Sequence, residues 1–562
     1  MHYLLSKIGN GEPDKVVSHN SHLQKIKIFF STAILLMIVI MVVGGMIIKK
    51  QDFFSKDIIT ELSQTASYLN YKVSFVKAEN SNFVSLIVPD ATKVENAKAK
   101  SIPVLLYHGI ITEPDGSNVL LENFKEQMFL LKRAGWQTVG IADFYEFIKG
   151  EKNLPDKSFL LTFDDGRKDS YFPVDPILRA LDYRAVMFVI IDRSLDDKKA
   201  SSFHLSANEL KDMLESGRWD IQAHTKDGHD FAAIDSQGNQ GHFFSNKLWL
   251  EDNKRMETEA EFENRIYNDF VSTKNELKSQ LGVKAIAFAY PFGDLGQNSI
   301  NFPEAKDVVA DKIKKVYPMS FFQVDVSNRT ANYPRINKDH YLIKRIGVEP
   351  QWSGLDLLKI LESTQDKNLP YQVNSFSGND WEKDWGSLSF GENSMTTKAN
   401  ASTTGSAVFL NGSWMWQNYD FSATVNFKKG RTFSLVALYY DENNYLSCDY
   451  GKGGVTIRQK IGGVENNIAE QNGNFGYLEG KDIKIGIAIN GNQAKCFVSD
   501  QLIVGTNLVD SKLTNGGIGF RTWDPELNNS ELLIKKIKVE KVAPTVGQKG
   551  KVPALIQEPI AS

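Results

Sequence analysis

From Ser101 to about Ser363 short apolar β-rich runs alternate with helical patterns, and this alternation restricts the region to an α/β unit with a parallel sheet. The runs are IPVLLYHG, SFLLTFDDG, AVMFVII, WDIQAHT and AIAFAYPFG. Helical patterns fall at Phe124–Ala134, Asp175–Leu181 and Ala207–Glu215, followed by a longer helix. That helix has a legible start, because Thr258 and Glu261 match a capping box. Phe262, Ile266 and Phe270 then recur at four-residue spacing and give it one apolar face.

The chain has 562 residues, enough for two or three folded units. A second constraint lies near its start. Ile28–Ile48 carries no charge and is long enough to cross a hydrocarbon core of roughly 30 Å as a helix. It exceeds the apolar core of a cleavable signal peptide, and no small-residue cleavage site follows. The expectation is therefore an uncleaved transmembrane signal anchor at 28–48, after a cytoplasmic head at 1–27 and before a stalk at 49–100 with a helix around Asp57–Leu69. Lys25 and Lys27 precede the span and Lys49 and Lys50 follow it, so charge bias does not set its orientation.

After the α/β unit, residues 370–542 change character. They are rich in Gly, Asn, Ser, Trp and Tyr and read as short strands joined by turns. GKGG at 451–454 and NG at 490–491 each separate two alternating runs, which predicts hairpins. The expected fold is an all-β sandwich of jelly-roll type, followed by a flexible tail at 543–562. Only Cys448 and Cys496 occur, too few for a disulfide framework or a cysteine zinc site. Two separate buried strand cysteines are the plainer expectation; one disulfide in an oxidising compartment is the alternative. A net charge of −3 leaves no basic excess for a nucleic-acid partner.

Four of the β-runs end in polar residues: Tyr107-His108-Gly109, Asp164-Asp165-Gly166, His224-Thr225 with His229 five residues after His224, and Tyr290-Pro291-Phe292-Gly293. In a barrel of parallel strands these ends converge on one face. Two imidazoles and a carboxylate can hold a divalent metal with positions left open, and a second carboxylate beside it can act as a base. A DDG at a strand end is ordinarily a turn, and a pair of loop histidines is ordinarily surface. Their ordered occurrence, each after a β-run, is what carries the reading.

LLTFDDG, AHTKDGH and FAYPFG resemble the ordered motifs of the polysaccharide deacetylase family, carbohydrate esterase family four, over about residues 101–362. The resemblance implies an irregular (β/α) barrel with fewer than eight strands. It implies that Asp164 is the general base, that Asp165, His224 and His229 bind a divalent metal (zinc first), and that the Phe292 N–H serves the oxyanion. The five-residue histidine spacing resembles the branch acting on poly-N-acetylglucosamine. The implied reaction is hydrolysis of N-acetyl groups on an amino-sugar polymer outside the cytoplasm, with acetate released. His108, Tyr290 and Arg345 are further candidates for substrate contact.

The pattern also departs from the family. An arginine that orients the base is often found three residues before the aromatic of the third motif, where this chain has Ala289. Arg345 can take over that task or can be an ordinary salt-bridge residue. The late Leu-x-His motif that supplies the general acid is not evident; His340 lies in a different setting, and His108 can line the pocket or be structural. The sandwich resembles the concanavalin-like or laminin-G-like group, in which Trp414, Trp416, Tyr440, Tyr445 and Trp523 could stack on sugar rings. The alternative function is a catalytically inactive, membrane-tethered glycan-binding protein. A glycoside hydrolase is a third, poorly served by adjacent carboxylates.

Overall fold

The computed structural model describes residues 63–73 and 98–543, apart from 197, 200–201, 324–330, 336–338, 374, 377, 379 and 474–479. The expected head, the membrane span Ile28–Ile48, most of the stalk and nearly all of the tail lie outside these residues. Of the stalk, residues 63–73 are helical. Among the described residues no helix is long and apolar enough to cross a membrane.

Among the described residues seven parallel strands close a barrel in the α/β region, with an eighth, Gln137–Thr138, added beside the second: β1 (Val104–Tyr107), β2 (Ser158–Phe163), β3 (Ala185–Val189), β4 (Trp219–Ala223), β5 (Ala287–Ala289), β6 (Met319–Gln323) and β7 (Tyr341–Gly347). They pair in the order β1-β7-β6-β5-β4-β3-β2, and β2 pairs back onto β1, closing a barrel. The strands VLLY, SFLLTF and AVMFV are buried at every position, as befits strands with apolar surroundings on both faces.

Side chains alternate between two cores. Val104, Leu160, Val186, Phe188, Ala287, Ala289, Met319 and Ile343 fill the barrel. Leu105, Leu161, Phe163, Met187, Ile221 and Phe288 face outward against the helices. Those helices include α1 (Leu121–Arg133), α2 (Asp175–Leu181), α3 (Ala207–Glu215), α4 (Glu259–Leu281) and α5 (Gly354–Ser363). The capping box of α4 forms as the sequence predicts: the Thr258 side chain accepts from the Glu261 N–H, and the Thr258 N–H donates to the Glu261 carboxylate at 2.8 Å. Phe262, Ile266 and Phe270 are fully buried, and Gly282 ends the helix at φ 72°.

The C-terminal region is an all-β sandwich of two antiparallel sheets, one of eight strands and one of seven, around its own core. Both predicted hairpins form, Asn444–Gly451 with Gly454–Ile461 and Asp482–Asn490 with Gln493–Val498. The cysteine expectation needs correction. Cys448 lies in the seven-stranded sheet and Cys496 in the eight-stranded one, with Cα atoms 5.9 Å apart, and they form a disulfide across the core. Facing sheets bring together positions 48 residues apart, a proximity that separation along the chain does not reveal.

Candidate active site

The parity that fills the barrel also arms its rim. Along β2 the inward series runs Leu160, Thr162, Asp164; along β4 it runs Gln222, His224; along β1, Leu106, His108; along β7, Ile343, Arg345. Each polar residue is the inward position at or just beyond the C-terminal end of its strand, so the four gather at one end of the barrel.

Tight backbone turns then separate neighbours that would otherwise share a direction. Asp165 has φ 71° and Gly166 φ 69°, so the chain leaves β2 in the left-handed region immediately after Asp164. This re-aims Asp165 towards the histidines: its Oδ1 lies 3.3 Å from His224 Nε2 and 3.0 Å from His229 Nε2. The ligand atoms of Asp165, His224 and His229 all lie within 4.8 Å of one another. Thr225 (φ 119°) and Phe292 (φ 59°) also hold positive φ, placing non-glycine strain in each of the three motif segments.

The donor set suits a divalent cation. The second ring nitrogen of His224, Nδ1, lies 2.9 Å from the Ala289 carbonyl oxygen. That contact fits Nδ1–H as donor and leaves the Nε2 lone pair facing Asp165, the arrangement usual for metal-ligating histidines. Asp165 Oδ1 is buried and otherwise without a hydrogen-bond partner. A cation between two neutral imidazoles and this carboxylate would satisfy it.

Asp164 has a different environment. It is 2% exposed, and the Arg345 guanidinium grips it with two parallel bonds of 2.6 and 2.7 Å. Burial opposes ionisation of this carboxyl, but Arg345 and His224 outweigh it and hold its pKa below the usual range. Ala289 belongs to the apolar cluster inside the barrel. Arg345 therefore contacts a carboxylate, not a substrate-facing surface, and the expectation that it touches substrate is corrected to a positioning contact.

Tyr290 also needs correction. It follows Phe288 in the outward series, is 2% exposed, and packs its ring against Phe244 and Phe288. A strand-end tyrosine of outward parity is thereby removed from the rim. His108 lies within the field of Asp164, Asp165 and His224, and it also lines a groove of about 600 Å³, outside the triad, with Asn118, Arg167, Gln323 and Glu349. Burial lowers the pKa of its imidazole, against the pull of Asp164 and Asp165. His340 is engaged elsewhere, with Nε2 2.8 Å from Ser320 Oγ and Nδ1 2.8 Å from the Tyr317 carbonyl.

Two contributors, Asp269 and Phe231, were not singled out from the sequence. Asp269 on α4 is buried and braces the histidine loop, accepting from Thr225 Oγ1 at 2.9 Å and from the Lys226 N–H at 3.0 Å. Burial raises its pKa to about 6 against those bonds. Phe231 is 52% exposed and Phe292 47%, and their rings lie 5.4 Å apart. The Phe292 ring stands 4.6 Å from His229 and 5.1 Å from His242, making an aromatic wall beside the triad. The D-F that follows His229 was the available signal for Phe231.

Barrel and rim together define a (β/α)-barrel domain of the kind that builds its site on strand C-termini. Residues 151–308 match the family model Polysaccharide deacetylase, and the chain carries a polysaccharide deacetylase domain. The poly-beta-1,6-N-acetyl-D-glucosamine N-deacetylase of Escherichia coli K12 is 27% identical over 211 residues, which cover 36% of this chain and 30% of that protein. The protein of the same name from Staphylococcus epidermidis is 28% identical over 183 residues, covering 32% of this chain and 55% of its own length. These relatives are named as N-deacetylases, which are hydrolases. The matches thus span between about a third and about half of the relatives' length. Among solved structures, a de-N-acetylase from Aggregatibacter actinomycetemcomitans aligns at 19% identity over 46% of this chain and 98% of that one, with a TM-score of 0.39.

Proposed function

We propose that this chain is a metal-dependent deacetylase that hydrolyses N-acetyl groups on a poly-N-acetylglucosamine-type polymer outside the cytoplasm. The observation that carries the reading is the convergence, on one barrel rim, of the Asp165–His224–His229 set with a separate carboxylate, Asp164, clamped by Arg345.

Asp165, His224 and His229 would hold the ion. A divalent cation bound there supplies Lewis acidity towards the acetamide carbonyl and the attacking water. Asp164 stays ionised through its Arg345 contact and accepts the proton of that water. The Phe292 N–H, in the strained turn of the third motif, serves as donor to the oxyanion. His108, within the field of Asp164, relays the proton held by Asp164 to the departing amine. Phe231 and Phe292 offer ring faces to the sugar that bears the acetamide. The inactive reading drew its force from Ala289 and from the missing Leu-x-His acid, and a doubly bonded Arg345 in the barrel answers the first of these. Zinc is the first metal to test, on the preference of His₂–carboxylate sets.

The polymer and location follow from the same reading. The relatives' names specify poly-beta-1,6-N-acetyl-D-glucosamine, and a polymer of that kind, together with the apolar span Ile28–Ile48, supports a single-pass anchor with its large C-terminal part outside. The test is acetate release by the purified chain from three substrates: β-1,6-linked N-acetylglucosamine oligomers, β-1,4-linked ones and peptidoglycan. Release from the first, with no new reducing ends, is expected. New reducing ends without acetate would replace the reading by a glycoside hydrolase.

A further inference from the structure

The seven-stranded sheet of the sandwich turns one set of side chains inward and the alternate set outward. Phe433, Leu435, Cys448, Tyr450, Ile457 and Phe520 belong to the core. Their neighbours Thr432, Ser434, Asp449, Arg458, Arg521 and Trp523 therefore share the opposite face.

Register builds a trough on that face. Thr432 pairs with both Trp523 and Gly451, and Ser434 pairs with both Arg521 and Asp449. The floor is thus Thr432, Ser434 and Gly451, all small. On one side stand Trp523, which is 42% exposed, and Trp385, whose ring covers Gly405, the register partner of Trp523. On the other stand Asp449 and Arg458. By register Trp523 stands across Thr432 from Gly451, and Arg521 stands across Ser434 from Asp449, so each pair spans two strand spacings, about 10 Å.

The polar groups form a charge-balanced array. Arg458 pairs with Asp449 at 3.0 Å and with Glu465 at 3.1 Å, and the Tyr445 hydroxyl donates to Glu465 at 3.0 Å. Arg521 donates to the Tyr445 hydroxyl, and its guanidinium lies 5.9 Å from the Trp385 ring. Within this quartet two guanidiniums face two carboxylates, and the Arg431 guanidinium lies 5.9 Å from the Trp523 ring. Each guanidinium has more donors than these contacts use, and paired donors and acceptors beside an indole face suit adjacent hydroxyls on a ring with an apolar side.

We infer that this trough binds neutral polysaccharide through a ring carrying two adjacent free hydroxyls. The choice of polymer rests on the proposed function: in a β-1,6-linked N-acetylglucosamine chain every ring keeps adjacent hydroxyls at positions 3 and 4, whereas in a β-1,4-linked chain inner rings do not. Of the aromatics suggested by sequence, Trp523 and Tyr445 border this site. Trp416 donates to the Lys367 carbonyl at 2.5 Å from a buried position, and Trp414 and Tyr440 line a separate small pocket with Tyr333, Arg335 and Lys344 from the barrel domain.

The experiment is affinity electrophoresis of the full chain through gels containing poly-β-1,6-N-acetylglucosamine or glycol chitin. The first polymer should retard the wild type more strongly. Trp523→Ala and Asp449→Asn should each weaken that retardation about tenfold or more in dissociation constant, as expected for losing a stacking face or a charge-assisted acceptor. Thermal unfolding of both variants checks the fold; Trp523 is exposed enough that its loss should leave the midpoint near wild type. Retardation should survive Asp165→Asn, which empties the barrel's proposed metal set, so failure of the deacetylase reading would leave this result standing. Absence of wild-type retardation by either polymer, or undiminished retardation of both trough variants, would overturn the inference.

Discussion

Replacing Arg345 by Met isolates the contact on which the Asp164 assignment depends. The two side chains are 1% and 3% exposed, and the guanidinium bonds both carboxylate oxygens. Their attraction is of order 4 kcal/mol at a charge separation of about 4 Å and an effective dielectric near 20. Removing one partner also strands a buried charge, and together these effects are expected to cost about 3–5 kcal/mol. The pH dependence has a definite sign. In the wild type the Asp164 pKa is depressed, so its stabilisation is present above the unfolded carboxylate value and is lost as pH falls through the folded value. In Arg345→Met burial is no longer opposed by the guanidinium, so the pKa rises and the deficit against wild type shrinks as Asp164 protonates in acid. The acid limb of kcat/KM for acetate release should move up by about 1–3 pH units. Urea unfolding across pH and the pH–rate profile test this, with Asp164→Asn/Arg345→Met expected to lose less than the sum of the single variants. An unchanged acid limb together with a stability loss below about 1 kcal/mol would refute the reasoning.

Other outcomes follow from other sites. Asp165→Asn, His224→Ala and His229→Ala should each lose bound metal and acetate release, whereas Asp164→Asn should keep the metal and lose most turnover; metal analysis of purified variants decides. Glu382, buried at the start of the sandwich, has its pKa pushed by burial to about 7 from 4.5, against the pull of Lys344. Its folded value is raised, so stability should fall as pH rises from about 4.5 to about 7 and level off beyond; Glu382→Gln should recover up to about 3 kcal/mol near neutrality, as read by unfolding across pH. Cys448→Ser/Cys496→Ser should lower sandwich stability by about 2–4 kcal/mol in chemical unfolding. Protease added to intact spheroplasts should degrade the large C-terminal part and spare an N-terminal tag; full protection of the C-terminal part would reverse the proposed topology.

Much of the barrel and its rim could be read from local patterns. Strand runs, the Thr258–Glu261 cap and the polar residues closing each run are short-range features, and parity along a strand carries Thr162 to Asp164 and Gln222 to His224. The same parity, applied to Phe288 and Tyr290, would have turned Tyr290 outward. What stayed illegible depends on distant pairings. Arg345 meets Asp164 across 181 residues, and Asp269 reaches Thr225 across 44, with no local periodicity marking either pair. The disulfide was hidden for the same reason, because it joins strands of two facing sheets. The sandwich trough needed the register of several strands before Trp523 and Asp449 could be set on one face.

The most direct test of the central claim is acetate release from a β-1,6-linked N-acetylglucosamine oligomer, measured before chelation, after chelation and after restoring zinc. The account predicts release that chelation abolishes and zinc restores in the wild type, with Asp164→Asn binding zinc yet remaining nearly inactive. Release that persists after the metal has been removed, or an Asp164→Asn variant as fast as wild type, would contradict it.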